Sequence, residues 1–364
     1  MKTIRFRWLV SLIVLASLLG PVTASAAEGG RCHVIEAGAS GPADNVLRLN
    51  AKGTFFDSTL IIAQRGVNLS VRSQESYRNA FPASFLRGRE LDCGFETLTT
   101  SEIDRIDLLL PRHGDGSLIV FDMSRARPGW ALAPGATREQ VGPEIEIRIV
   151  QGPPPTRPDG SLGYIGTKGT DRLDFGAADG VPTVNFNPGQ DGDRPDHDIL
   201  PGISVEAIRV AAGPGRDYTR PAIRKGLEPL PSWVKLAVQG DDGDDELIGH
   251  SGPDALSGGT GNDLIRALGG DDRQVNNYEW APFSLVGGPG RDRIHGGAGR
   301  DEIGSGGRSG GDTGADFVFG GPGDDTFHGQ MDGFRDRIDC GPGKEKKFRI
   351  DRGVDVLTGC EMAG

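Results

Sequence analysis

Residues 240–275 read GDDGDDELI GHSGPDALS GGTGNDLIR ALGGDDRQV. Residues 287–304 resume the beat as GGPGRDRIH GGAGRDEIG, and residues 311–328 as GDTGADFVF GGPGDDTFH. Every nine-residue window has Gly at position four and Asp at position six. All but one place an apolar residue at position eight; the exception is Gln274. A flexible Gly/Asp linker has no reason to hold Gly, Asp and an apolar residue in phase. A fixed period of this kind means stacked repeats, each too small to bury a core alone.

Each window divides into two parts. The G-G-x-G-x-D half is a tight turn, because glycine supplies positive φ and close backbone approach. The three residues that follow make a minimal strand whose middle side chain faces inward: Leu247, Leu256, Ile265, Ile294, Ile303, Val318 and Phe327. Two windows make one coil, so turns two repeats apart stack. Asp245 is expected over Asp263 and Asp254 over Asp272. Beyond the interruption, Asp292 is expected over Asp316 and Asp301 over Asp325, although the insert Ser305–Gly310 breaks the phase between them. Stacked carboxylates repel, and two apolar side chains per coil are a small core to set against chain entropy. A hard cation between the turns relieves both problems. Carboxylates and turn carbonyls are the oxygen donors that calcium prefers.

The G-G-x-G-x-D-x-U-x windows resemble the repeats-in-toxin, or hemolysin-type, calcium-binding family. The specific match covers residues 240–275 and 287–328. The resemblance implies a parallel β-roll holding several Ca2+ ions, with the position-six aspartates as ligands. Looser echoes add Asp217 in AGPGRDYTR and Asp336 in GFRDRI. CGPGKEKKF keeps the glycines but has Glu345 in place of Asp and Lys347 at the apolar position, so the roll is expected to end there. Family members carry their activities in other domains, which the repeats do not supply.

The amino terminus indicates the compartment. Lys2, Arg5 and Arg7 precede an apolar core, Trp8–Leu19, which is too short to span a bilayer; Ala24-Ser25-Ala26-Ala27 follows as a small-residue cleavage site. These features predict a secretory signal peptide over 1–27 and a secreted protein with no membrane span after cleavage. Removing it takes away three positive charges and no acids, so the formal charge of −11 becomes −11 − 3 = −14. That balance argues against nucleic acid as a partner. It suits a protein that loads divalent cations outside the cell. Four cysteines form an even set for an oxidising setting. Three pairings are possible, and proximity favours Cys32–Cys93 and Cys340–Cys360.

The rest of the chain is less explicit. Leu60–Ile62, Ile103–Leu110, Leu118–Phe121 and Ile145–Val150 read as short strands, and no amphipathic helix is evident. Residues 28–151 are read as a β-rich amino-terminal domain and 152–235 as a linker with transitional β segments. The calcium-binding roll is placed at 236–340 and a disulfide-linked cap at 341–364. The fold class expected is all-β. Tyr278, Trp280 and Phe283 in the interrupting loop read mainly as cover for an apolar edge. His197 among Asp191, Asp193, Asp196 and Asp198 reads as a solvated acidic loop. No H-E-x-x-H occurs, Pro253 spoils a G-x-S-x-G around Ser251, and no glycine run continues into G-K-[ST]. The chain is therefore expected not to be an enzyme. A hydrolase with an unrecognised site in 28–235 is the alternative.

Overall fold

The computed structural model describes most residues from 160 to 361: 160–178, 180–186, 199–201, 205–221, 228–273, 285–306, 312–330, 332–345, 348–351 and 353–361. Before residue 160 it describes individual strands, the first at Cys32–Ile35. The expected signal peptide, Cys93 and hence its pairing with Cys32, the 189–198 acidic loop and the Tyr278–Phe283 aromatics lie outside the described residues.

Every described element is a strand, and the strands form two sheets. The first sheet starts at Cys32–Ile35 and runs through Arg172–Ala178 and Tyr218–Pro221. It continues through Glu246–Ile248, Leu264–Arg266, Arg293–His295, Phe317–Phe319 and Arg337–Asp339 to Val356–Thr358. The second sheet contains Ser58–Arg65, Leu118–Arg125, Gly160–Ile165, Val205–Ala211, Lys235–Asp242 and Asp254–Thr260. It continues through Leu285–Val286, Glu302–Gly304 and Thr326–Gln330 to Phe348–Ile350. From residue 205 onward the chain alternates between the sheets, and each strand pairs in parallel with the strand one coil away. This is a parallel β-roll. Antiparallel hairpins appear earlier, at Ser58–Arg65 with Asn68–Glu75 and at Arg172–Ala178 with Val181–Phe186.

The inward position-eight residues behave as their spacing predicts. Leu247, Leu256, Ile265, Ile294, Ile303, Val318 and Phe327 are all fully buried. They continue a single core that also holds Phe121, Tyr164, Phe175, Val210 and Val238. The earlier strands are longer and contribute more to it. Gly160–Ile165 buries Leu162 and Tyr164, and Lys235–Asp242 buries Leu236 and Val238, where short nonapeptide strands such as Glu246–Ile248, Leu264–Arg266 and Phe317–Phe319 bury one residue. Apolar burial thus thins from the amino-terminal coils to the nonapeptide coils. Both sheets pass through position 235 with no break in strand order.

Position-four glycines are dictated by the stacking. Gly261 has φ of +142°, and a Cβ there would stand 1.8 Å from the Gly243 carbonyl oxygen one coil earlier. Any side chain at this position would force the coils apart.

The roll does not end at Cys340, contrary to the reading of CGPGKEKKF. Gly341 keeps a positive φ of +75° and stacks on Gly321, and the strands Phe348–Ile350 and Val356–Thr358 each add to a sheet. The reason is a shift of one residue. Phe348, rather than Lys347, stands opposite Phe327 in the register. Cys340 and Cys360 are joined, as expected, with Cα atoms 5.0 Å apart and a sequence separation of 20. The bridge holds the last coil against the rest. Closing a loop of this size stabilises by about 3 kcal/mol in the chain-entropy picture. Reduction is therefore expected to speed amide exchange over 341–361 and leave 205–242 unchanged. Mass spectrometry of exchange with and without a reductant checks this, alongside peptide mapping for the Cys340–Cys360 pair.

Candidate metal centre

The position-six aspartates line the two edges of the roll in columns, joined by one repeated contact. The backbone N–H of Asp245 donates to Oδ1 of Asp263 at 2.8 Å. Asp263 does the same to Asp292, Asp292 to Asp316 and Asp316 to Asp336, each at 2.8 Å. Upstream, Asp171 donates to Asp217 and Asp217 to Asp245, both at 2.7 Å. On the other edge Asp254 donates to Asp272 at 2.8 Å, Asp272 to Asp301 at 3.0 Å and Asp301 to Asp325 at 3.0 Å. All four expected stacks are present. The insert after Ser305 does not disturb them, because Val318 stays in register with Ile294.

One oxygen of each carboxylate is thus used, and the other is left over. Oδ2 of Asp217, Asp245, Asp263, Asp272, Asp292, Asp301, Asp316, Asp325 and Asp336 is buried and has no hydrogen-bond partner. Leaving so many buried acceptors unpaired is costly, and a recurring orphan demands an explanation such as an ion. The surroundings repeat as well. A Cβ placed on Gly240 would lie 2.1 Å from Asp245 Oδ2 and 2.3 Å from the Gly258 carbonyl oxygen. One placed on Gly320 would lie 2.6 Å from both Asp325 Oδ2 and the Cys340 carbonyl oxygen. A glycine at position one therefore keeps open a notch faced by a carboxylate oxygen and a carbonyl oxygen from the next coil. Among the described residues no three His, Cys, Asp or Glu side chains converge on a point. An ion here would be held by aspartate carboxylates together with backbone carbonyls, a hard all-oxygen set that suits calcium.

The electrostatics agree. Burial pushes the Asp292 carboxyl up to about 8; the Asp263 N–H works against it and the Asp263 charge adds to it. Burial likewise raises Asp217 to about 8, Asp263, Asp325 and Asp336 to about 7, and Asp245 and Asp301 to about 6. Asp272 and Asp316 are raised too, by burial and by neighbouring carboxylates. A group whose folded pKa is raised stabilises the fold below its unfolded value, near 3.9, and loses that contribution as pH rises through the folded value. Without calcium, the roll is therefore expected to weaken as pH climbs from about 4 to about 8. Calcium held by these carboxylates would take the place of those protons, so binding at pH 7 should release them. Calorimetry in two buffers of different ionisation enthalpy measures the release; identical heats would contradict it.

Two aspartates stand apart. Asp254 accepts from the His250 backbone N–H at 2.8 Å on Oδ2 and contacts His250 Nδ1 at 2.6 Å through Oδ1. His250 occupies position two, where half of the eight windows have Gly, and it is buried with its partner. Of the ten candidate ligands, Asp254 is the one whose outer oxygen the protein already satisfies. Asp171, at the head of the other column, accepts from Thr167 N and Oγ1 at 2.7 Å and from the Tyr164 hydroxyl at 2.8 Å. Each column therefore begins on a carboxylate held by side chains and backbone.

The structure also adds residues that the window rule misses. Glu345 is buried with both carboxylate oxygens unpartnered, at the place an aspartate would take after Asp325. Asp312 and Asp332 each keep a buried, unpartnered Oδ2. Both sit at position two, and Asp355 accepts from Asp336 N as the next member of its column. The retained glycines around Glu345 signalled its place. Position two gave no signal, because the pattern reserves it for Gly.

A model of the RTX calcium-binding nonapeptide repeat matches residues 239–273, 284–307 and 311–332 in four copies. No curated protein and no solved structure matches the chain significantly. The windows that organise both edges of this roll are RTX calcium-binding nonapeptide repeats, spanning residues 239–332.

Proposed function

We propose that this is an extracellular protein whose nonapeptide coils fold around several calcium ions to make a rigid structural or surface-interaction module, and that it has no catalytic activity. The carrying observation is the column of buried, unpartnered Oδ2 atoms, of which those of Asp245, Asp301 and Asp325 share a notch with a carbonyl of the next coil. Such columns are sites only when the coils are stacked, so calcium binds the folded state and stabilises it by mass action. The amino-terminal signal-like segment supports an extracellular setting. Among the described residues no helix is long and apolar enough to cross a membrane, which leaves strand-built spans unaddressed.

Absence of catalysis is supported by the missing protease, lipase and phosphate-loop motifs. A screen of the calcium-loaded chain with ester, peptide and glycoside substrates is expected to be blank. Turnover that disappears on a single substitution within 28–235 would overturn this part of the reading.

A further inference from the structure

One stretch of the outer face of the first sheet, from Leu264–Arg266 to Arg337–Asp339, carries Arg266, Arg293 and Arg337 against a single acid, Asp339, in a chain that is acidic as a whole. Arg293, Phe317 and Arg337 stand opposite one another in one row across successive strands. Arg266, His295 and Phe319 form the adjacent row. The guanidiniums of Arg291, Arg293 and Arg337 lie 5.0, 5.5 and 5.5 Å from the centre of the Phe317 ring. Beside them His295 and Phe319 stack on each other, with centroids 4.5 Å apart and planes 5° from parallel.

All four arginines of this patch, Arg266, Arg291, Arg293 and Arg337, are exposed. None forms an ion pair with a carboxylate among the described residues. Elsewhere on the roll arginines do find acids: Arg220 pairs with Asp174, and Arg300 with Asp271. The segregation is also by face. On the second sheet Lys235 is paired with Glu206, and the strands Asp254–Thr260, Leu285–Val286, Glu302–Gly304 and Thr326–Gln330 contain no Lys or Arg. A chain of net charge −11 has ample acids to neutralise this patch, and it does not use them. Attraction to the Phe317 ring gathers the guanidiniums without neutralising them. An anion between them would do so, and the guanidinium fork matches carboxylate and sulfate groups.

The geometry points to this face as a docking surface for an acidic polysaccharide, with Arg266, Arg291, Arg293 and Arg337 holding its carboxylate or sulfate groups. The shape of the patch selects the occupant. Strands recur about every 4.8 Å, so the arginines from Leu264–Arg266 to Arg337–Asp339 extend over roughly 14 Å in line. A linear chain with regularly repeated charge fits such a row. A single-stranded nucleic acid needs free ring faces on which bases stack. Here Phe317 is ringed by guanidiniums, and His295 and Phe319 each give one face to the other. A protein partner binds through a buried apolar anchor seated in a pocket, and a flat row of arginines gives no such pocket.

This inference rests on the extracellular, calcium-folded reading above. The test uses the whole mature chain in millimolar calcium, with folding followed by circular dichroism and binding by surface capture. The probe is dextran sulfate; neutral dextran, a single-stranded oligonucleotide, polyglutamate and anionic phospholipid vesicles are compared. Dextran sulfate should bind, and binding should weaken as salt rises. The variant R266E/R293E/R337E should lose at least about tenfold in affinity. R300E reverses a charge already paired with Asp271 and should stay within about twofold. R266Q/R293Q is the milder pair should charge reversal disturb folding, and it too should weaken binding. A calcium-folded chain that ignores dextran sulfate overturns the surface and leaves the calcium reading intact. So does a folded variant that binds like the parent. Oligonucleotide, polyglutamate or vesicles binding as tightly as dextran sulfate, with the same loss on substitution, also overturn the polysaccharide assignment.

Discussion

Removing calcium should melt the roll from one end only. In excess chelator at pH 7.5, amide exchange over 245–358 should become fast, while 160–178 and 205–238 stay protected. The polarity follows from two features. The amino-terminal coils bury several apolar side chains per strand, such as Leu162 with Tyr164 and Leu236 with Val238. Their first aspartate, Asp171, already has three protein donors. Several nonapeptide strands, such as Glu246–Ile248, Leu264–Arg266 and Phe317–Phe319, bury one side chain each, and these coils carry the unpartnered carboxylate oxygens. With extracellular-type affinities near 10⁻⁴ M, each site gains about 1.4 kcal/mol at 1 mM calcium. Several sites together are decisive for a domain of ordinary stability, about 5–15 kcal/mol. Hydrogen exchange read by mass spectrometry resolves the two regions. Uniform loss or uniform retention of protection across both would contradict this division.

The substitution with the largest expected consequence is Asp263→Asn, and its sign should depend on calcium. Asparagine keeps an acceptor for the Asp245 N–H, a 2.8 Å contact in the parent. It removes a carboxylate that burial pushes up to about 7 and that faces Asp245 and Asp244. In chelator at pH 8 the variant should therefore be at least as stable as the parent. In calcium it should be less stable, with affinity at the affected site lowered at least about tenfold. Asn262→Ala is the comparison. Its side chain bonds Asp244 and accepts from Arg291 N on the exposed outside of the same turn, so its loss removes surface hydrogen bonds and no buried ligand oxygen. Thermal melts with and without calcium distinguish the cases. A variant that is weaker than the parent in both conditions would contradict a repulsive, ion-awaiting carboxylate.

Residues 240–328 were legible because the period is short and strict. Position eight fixed the core, from Leu247 to Phe327, and position six fixed both columns. Where the period loosened, the reading failed in proportion. One extra residue before Phe348 hid the last coil, although Gly341 and Gly343 still stack on Gly321 and Gly323. The earlier strands pair with partners up to dozens of residues away through loops of unequal length, which leaves no period to count. Their continuity with the roll is a matter of register between Val205–Ala211 and Lys235–Asp242, and alternation within one strand cannot report it. The His250 contact to Asp254 was hidden for another reason. Its window keeps Gly at four and Asp at six, and only the fold shows the imidazole bonded to the carboxylate.

The most direct test of the account is a calcium titration of residues 28–364 followed by far-UV circular dichroism, begun in excess chelator. The β signal should rise cooperatively toward millimolar calcium, and the melting temperature should rise with it. Magnesium should substitute poorly, since it demands a smaller octahedral cage. The same β signal and melting temperature in chelator as in millimolar calcium would show that the aspartate columns stand without an ion, and would contradict calcium-dependent folding.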